Sequence, residues 1–399
     1  MTDTQPELMV GFPAERIVDI ARWDKGPDNR WAFQHVSEIV PTANVSRGDG
    51  SPFVWQESTA NVGGLSVEIN DEDSLSVESI LLSTYTDGFL VTKNGRVAFE
   101  GYFNGMDRHT RHLLMSVSKS VVGTLAGVAV DRGLLDPAAA VVSYIPELED
   151  SPGFADATVR NVLDMTTAII FSEDYDDPES EVVAHEMACA WRGRSSIADQ
   201  GVYEFARSTR RADREHGELF HYASINTDVL GWLIERSTAQ RLSDFASESI
   251  WAHIGVEHDG QLGVDYRGSP VANGGFCFTL RDLSRFGEMM LNRGRINDSQ
   301  IVSTEWINNT LNQGSNTAWL PTLYGPLWPN GRYRNQWYVT GDDHGSYFAI
   351  GVNGQHLWIN PTTQVVITKF SSHPASVDKD AMLLTIEAMN TIARSPTLS

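Results

Sequence analysis

Ser116-Val117-Ser118-Lys119 sets a hydroxyl and an amine three residues apart, just before the apolar run Val121–Val130. Residues three apart on a helix share a face, so both side chains can enter one cleft. A serine hydroxyl becomes a useful nucleophile only when a neighbouring base takes its proton. A lysine buried at a helix N-terminus has a lowered pKa, through desolvation and the helix dipole, and can be that base. The chemistry open to such a pair is acyl transfer through an acyl-serine.

A second tetrad, Ser376-Val377-Asp378-Lys379, repeats the spacing. It follows Pro374, holds an acidic residue inside the pair, and precedes a stretch, 380–393, that reads as an amphipathic surface helix. The first tetrad is followed by no charge from Ser120 to Val130, and Gly123 and Gly127 permit close packing. A helix apolar on all sides belongs inside a protein, here with its N-terminus opening on a pocket. Ser116 is therefore the candidate nucleophile. The bland alternative is a serine that merely starts a core helix.

A second proton-handling group stands at Tyr222-Ala223-Ser224, with Asn226 just beyond. A phenol ionises near pH 10, and a neighbouring lysine cation favours its anion, which could act as a base. Taken alone, a tyrosine before a helix is an ordinary amphipathic core residue.

The elements that must position these groups follow from local pattern. Strand-like runs at 89–92 and 97–102 flank Asn94-Gly95, a strong hairpin signal. Helices are expected at 116–131, 159–165 and 223–237. Strands return at 347–352, 355–359 and 364–370, and a helix from about 378 to 394 follows. Strands at both ends and helices between them predict one antiparallel sheet built from N- and C-terminal segments, with a helical insertion.

The 399 residues suffice for one large or two ordinary domains, and 41% hydrophobic with 10% aromatic residues excludes a disordered chain. A net charge of −22 disfavours nucleic acid and anionic membrane surfaces as partners. The two cysteines, Cys189 and Cys277, are too few for a disulfide framework. His185-Glu186 opens like a zinc-protease motif but lacks the second histidine four residues on, so no metal is expected. No stretch reaches membrane-spanning length, and residues 1–7 lack an export signal, so the expected location is the cytoplasm.

Several segments together resemble a known superfamily. They are Asn29-Arg30-Trp31-Ala32-Phe33, Leu113–Ser120, Val162-Leu163-Asp164-Met165, Glu173-Asp174-Tyr175, Asn226–Leu230, Ala272-Asn273-Gly274-Gly275 and Gly354-Gln355 with Leu357-Trp358. They resemble the serine β-lactamase and penicillin-binding protein superfamily, in particular its tyrosine-using members with their esterase and D-alanyl peptidase relatives. The Glu-Asp-Tyr and Gly-Gln-x-Leu-Trp segments are most similar to its nylon-oligomer hydrolase branch, which cleaves linear 6-aminohexanoate amides.

The resemblance implies an α+β, β-lactamase-like fold: an antiparallel sheet flanked by helices, with a largely helical inserted domain. Residues 1–115 and 276–399 would form the α/β domain, 116–275 the helical one, and the active site the cleft between them. It implies Ser116 as nucleophile, Lys119 and Tyr222 as base and proton relay, and Tyr175 as the residue that hydrogen-bonds the scissile nitrogen and helps the amine leave. The backbone N–H groups of Ser116 and Val352 would form the oxyanion hole. Glu186 stands where the branch has an aspartate for the substrate ammonium, and Trp191 and Asn273 would line the pocket. A surface glutamate is the ordinary reading of Glu186. No cofactor is implied; the partner is a small amide or ester substrate, and a homodimer is expected by resemblance.

Two departures narrow the substrate. The Lys-Thr-Gly strand of β-lactamases is Ala349-Ile350-Gly351 here, and Ser224 replaces an asparagine. Both oppose β-lactam hydrolysis. The leading expectation is an amide hydrolase acting through an acyl-enzyme. A short-chain carboxylesterase needs the same groups, and a silent penicillin-recognising module would not need Ser116, Lys119 and Tyr222 intact.

Overall fold

Asn94 and Gly95 have φ of 51° and 72°, the two left-handed residues that a tight I′ hairpin requires. They join β1 (Thr86–Lys93) to its antiparallel neighbour β2 (Arg96–Tyr102). Late in the chain β3 (Tyr347–Gly351), β4 (Gln355–Asn360) and β5 (Val365–Ser371) form the expected meander. β5 then pairs antiparallel with β1, which closes the N- and C-terminal segments into one sheet. This computed structural model describes residues 9, 17–69, 73–296, 298–322 and 324–398.

The sheet has eight strands, in the order Arg332–Arg334, Trp337–Val339, β3, β4, β5, β1, β2 and Gln56–Glu57. The last of these runs parallel to β2, a departure from the all-antiparallel expectation confined to a two-residue edge. Both faces of the central strands are covered, so burial along them is nearly continuous. Successive residues serve different cores. Tyr347, Ala349, Leu357 and Ile359 join one cluster, while Phe348 and Trp358 join the other.

Five helices frame the site: α1 (Val117–Asp131), α2 (Glu181–Ala188), α3 (Ile225–Thr238), α4 (Leu280–Leu291) and α5 (Lys379–Arg394). α1 and α4 pack on one face of the sheet and α5 on the other. α1 is buried over 117–129, as its lack of charge beyond Lys119 requires. Its glycines are contact points. A Cβ on Gly123 would lie 2.2 Å from the carbonyl oxygen of Asn335, and one on Gly127 2.5 Å from the indole nitrogen of Trp306.

Gly123→Ala should therefore destabilise the protein by roughly 2–3 kcal/mol or more, since backbone rather than a flexible side chain must give way. Urea unfolding measures this. A loss below about 1 kcal/mol would mean that α1 slides freely in its groove.

A smaller sheet, ordered Thr42–Val45, Gly260–Gly263, Phe276–Thr279 and Arg111–Leu113, delivers the chain into α1. The Leu114 N–H donates to the Phe276 carbonyl at 2.9 Å, and the Phe276 N–H donates to Ser118 Oγ at 3.1 Å. The start of α1 is thus pinned between this sheet and β3.

Candidate active site

The turn that presents Ser116 is strained. Met115 has φ of 47°, a left-handed conformation that unbranched L-residues adopt only at a cost. Ser116 follows at the cap position of α1, 8% exposed. One turn later Lys119 is buried, and its Nζ donates to Ser116 Oγ at 2.9 Å and to the Asn273 carbonyl at 2.8 Å. Burial lowers the Lys119 pKa to about 8, against the opposing pull of the Glu173 and Asp228 carboxylates.

Tyr222 precedes α3, and Lys119 Nζ lies 5.2 Å from the centre of its ring. Burial pushes the phenol well above its ordinary value, with the Ser116 hydroxyl pulling weakly the other way. The phenolate that a neighbouring lysine was expected to favour is thus not the resting state, because desolvation outweighs the cation. Of the two groups beside Ser116, Lys119 rather than Tyr222 is the one brought down toward neutrality.

Loss of activity on acidification follows from that sign. Neutral Lys119 is scarce below its pKa, so kcat/KM on an uncharged p-nitrophenyl ester should fall about tenfold per unit below roughly pH 7 and level off above roughly pH 9. A flat pH–rate profile from about pH 6 to 9 would remove Lys119 from the role of base.

β3 passes close to the nucleophile because Gly351 lets it. A Cβ there would lie 2.9 Å from the Ser116 nitrogen and 2.9 Å from the Leu114 oxygen. Val352 follows and starts a short 3-10 turn, Val352–Gly354. The N–H groups of Ser116 and Val352 both sit at the start of a helical turn, where no intrahelical acceptor exists.

Two cavities meet at Ser116, and Tyr175 and Val352 line both. The larger, about 160 Å³, continues past Tyr222 and under the first turn of α5. The smaller, about 20 Å³, is walled by Glu186, Trp191 and Asn273. The fold therefore brings together every residue singled out in the sequence, with Lys119 just behind Ser116. Ser376 also reaches the larger cavity, yet its Oγ is met by Lys25 Nζ at 3.4 Å and Lys379 is exposed. The second tetrad forms no nucleophile–base pair.

Glu186 is buried, which sets aside the bland alternative of a surface glutamate. It is 7% exposed, and Arg192 donates twice to its Oε2, at 3.1 and 2.5 Å. Arg192 also holds Asp24 at 2.6 and 2.8 Å. Burial raises the Glu186 carboxyl pKa, and Arg192 opposes that rise. Among the described residues both of its hydrogen bonds fall on Oε2 and none on Oε1.

Sequence reasoning missed Glu173. Its Oε2 accepts from the Tyr175 hydroxyl at 2.7 Å and its Oε1 from the Ser224 N–H at 2.6 Å. It clamps the Tyr175 loop to the start of α3. The Tyr175 proton is thereby committed, so its oxygen faces the cleft as an acceptor. Adjacency to Tyr175 was the available signal.

Asp228 was missed as well. It accepts the Asn273 N–H and Nδ2, both at 3.0 Å, and lies 2.8 Å from His185 Nε2. His185, Cys189 and Asp228 offer ligand atoms within 4.8 Å of one another, a grouping not foreseen from spacing. His185 is already hydrogen-bonded to Asp228, Asn273 donates to both Asp228 and Cys189, and burial pushes the Cys189 thiol pKa up. The cluster reads as support for Asn273, whose carbonyl steadies Lys119.

The chain has counterparts among known proteins. A family model described as beta-lactamase matches residues 83–388. The chain belongs to the beta-lactamase family. Within that family it is 41% identical over 352 residues to the 6-aminohexanoate-dimer hydrolase of Paenarthrobacter ureafaciens, covering 88% of this chain and 87% of that one. A Bacillus anthracis structure provisionally assigned as a 6-aminohexanoate-dimer hydrolase superposes with a TM-score of 0.86 at 25% identity, covering 96% of this chain and 98% of that one. A family VIII carboxylesterase shares the fold at 15% identity, with a TM-score of 0.57 over 79% of this chain and 96% of that one. The beta-lactamase-like α+β fold expected from the motifs is the one observed. Among the described residues no helix is long and apolar enough to cross a membrane.

Proposed function

We propose that this protein is a serine amide hydrolase that cleaves linear 6-aminohexanoate oligomers, the dimer foremost, through an acyl-enzyme on Ser116. The observation that carries this reading is the Lys119–Ser116 pair at 2.9 Å facing Tyr175 at the junction of two cavities. The 41% identity to a dimer hydrolase supports the substrate class.

Neutral Lys119 takes the Ser116 Oγ proton as Oγ bonds to the carbonyl carbon. The oxyanion rests on the N–H groups of Ser116 and Val352. The scissile N–H donates to the Tyr175 oxygen, which turns the nitrogen lone pair toward the Lys119–Tyr222 side. That pair returns the proton to nitrogen as the C–N bond breaks, since an amine leaves poorly unless protonated. Water then attacks the acyl-serine, releasing the acid and restoring Ser116. Glu186 Oε1 is the proposed seat of the substrate ammonium, with Trp191 and Asn273 walling the acyl chain.

Tyr175→Phe separates amide from ester chemistry. Losing one hydrogen bond beside a buried carboxylate should slow amide turnover about 10–100-fold. A p-nitrophenyl ester has no N–H to orient, so its turnover should change little. Equal losses on both would make Tyr175 a packing residue.

Rates on the 6-aminohexanoate dimer, a p-nitrophenyl ester and nitrocefin test the reading as a whole. Dimer and ester should turn over and nitrocefin hardly at all, because Ala349 replaces the cation that grips a β-lactam carboxylate. Ester cleavage without dimer cleavage would make the protein a carboxylesterase. By the same kinship we propose a cytoplasmic homodimer, which sedimentation velocity would check for assembly.

A further inference from the structure

Two buried ionisable side chains in the wall of the larger cavity have no part in the scheme above. Lys369 on β5 is in register with His356 on β4, which is in register with Ile350 on β3. Partners in register share a sheet face, and all three residues line the cavity. Lys369 is 1% exposed, and its Nζ donates to the carbonyls of Thr84 and Gly354, both at 3.3 Å. An ammonium carries three donors, so one is left over. Among the described residues no carboxylate lies at ion-pair distance from it; the Asp87 carboxylate acts on it from farther off and is itself held by His112 at 3.0 Å.

His356 supplies the second observation. It is 2% exposed, its Nδ1 lies 3.2 Å from the Gly354 carbonyl, and its Nε2 has no partner. Charging a buried amine that has no carboxylate at ion-pair distance, beside an orphaned ring nitrogen, is costly, and a carboxylate ligand that met both would lower that cost. The acidic groups in the same wall are already engaged. Glu173 holds Tyr175 and Ser224, while Asp378 caps α5 and faces His373 at 3.4 Å.

We propose that Lys369 and His356 receive the carboxylate of the leaving 6-aminohexanoate. The leaving half would then lie in the larger cavity and the acyl half, with its ammonium, beside Glu186. The two ends of the cleft would match the two charges of the dimer. Strands about 4.8 Å apart put the Lys369 backbone about 10 Å from Ile350, beside the oxyanion strand end. A five-methylene chain extends about 8 Å, and the lysine side chain closes the remainder. This placement rests on the amide-hydrolase reading.

Burial holds Lys369 at about 7 and His356 at about 3, so an arriving carboxylate should draw a proton onto the pair. The rival role is a staple: Lys369 holds two carbonyls near the turn after Val352 and contacts no ligand.

The test is calorimetry on full-length Ser116→Ala protein with hexanoate, 1-hexanol and hexylamine. Hexanoate should bind at least tenfold tighter than the other two and take up a proton at about pH 8, as shown by buffers of different ionisation enthalpy. Lys369→Met should erase that preference. In the active protein, the KM ratio between 6-aminohexanoyl-hexylamide and the dimer should be tenfold or more, and Lys369→Met should bring it near one.

Equal binding of the three ligands by the parent protein would overturn the proposal without any need for the variant to fold. So would a Lys369→Met protein that loses kcat on both amides with the KM ratio intact, the staple's signature. If the parent cleaves neither amide, the amide-hydrolase reading fails, and hexanoate binding alone decides the subsite.

Discussion

Ser116→Ala should lower turnover of the dimer by roughly 10⁴–10⁶-fold while leaving the fold and the dissociation constant nearly unchanged. The substitution removes one oxygen at an 8% exposed position and no packing atom of α1. What remains is the oxyanion pair and the two-ended cleft, which still bind substrate but offer no acyl acceptor. Ser376→Ala is the matched comparison, with the same residue change at the same cavity. Among the described residues its hydroxyl is met only by Lys25, at 3.4 Å and not buried as Lys119 is, and Lys379 of its own tetrad is exposed, so its cost should be about tenfold at most. The reverse ranking would assign the chemistry to the wrong tetrad.

The proton relay has the second largest effect. Lys119→Ala and Tyr222→Phe should each slow acylation by roughly 10³-fold or more, and the double variant should be little worse than either. Groups that act as one unit lose function together, because removing either strands the proton. Lys119→Ala also deletes the donor to Ser116 Oγ and the bond to the Asn273 carbonyl. Its fold should therefore be checked by thermal unfolding beside the kinetics. Fully additive losses in single-turnover acylation would put the two residues in separate steps.

The parts of this site legible in the sequence are those whose cause is local. Ser-x-x-Lys is one helical turn, and the buried helix behind it shows in ten residues without a charge. Asn94-Gly95 is the hairpin itself. The meander of β3–β5 is readable because its turns are short and its strands apolar. The parts that were not legible depend on partners far away in the chain. Glu186 is buried because Arg192 reaches it and Asp24, the latter 168 residues upstream of that arginine. No local pattern marks that triad.

The neutral state of Tyr222 is likewise set by surroundings assembled from Tyr333 and Tyr338, which the sequence places more than a hundred residues later. Lys369 sits among β-branched and aromatic strand residues and reads as an ordinary surface lysine. It becomes unusual only because β5 is covered on both faces. Glu173 was in view but was taken as part of a motif, since its two acceptors become meaningful only when Ser224 arrives from the other side.

The central claim is a covalent intermediate of defined composition at one serine. The most direct measurement is rapid acid quench of enzyme mixed with the 6-aminohexanoate dimer, followed by mass spectrometry of the digested protein. The peptide carrying Ser116 should gain the mass of one 6-aminohexanoyl group, in step with release of the first equivalent of 6-aminohexanoate. Dimer consumed with Ser116 unmodified at every quench time, or the adduct found on the peptide carrying Ser376, would contradict it.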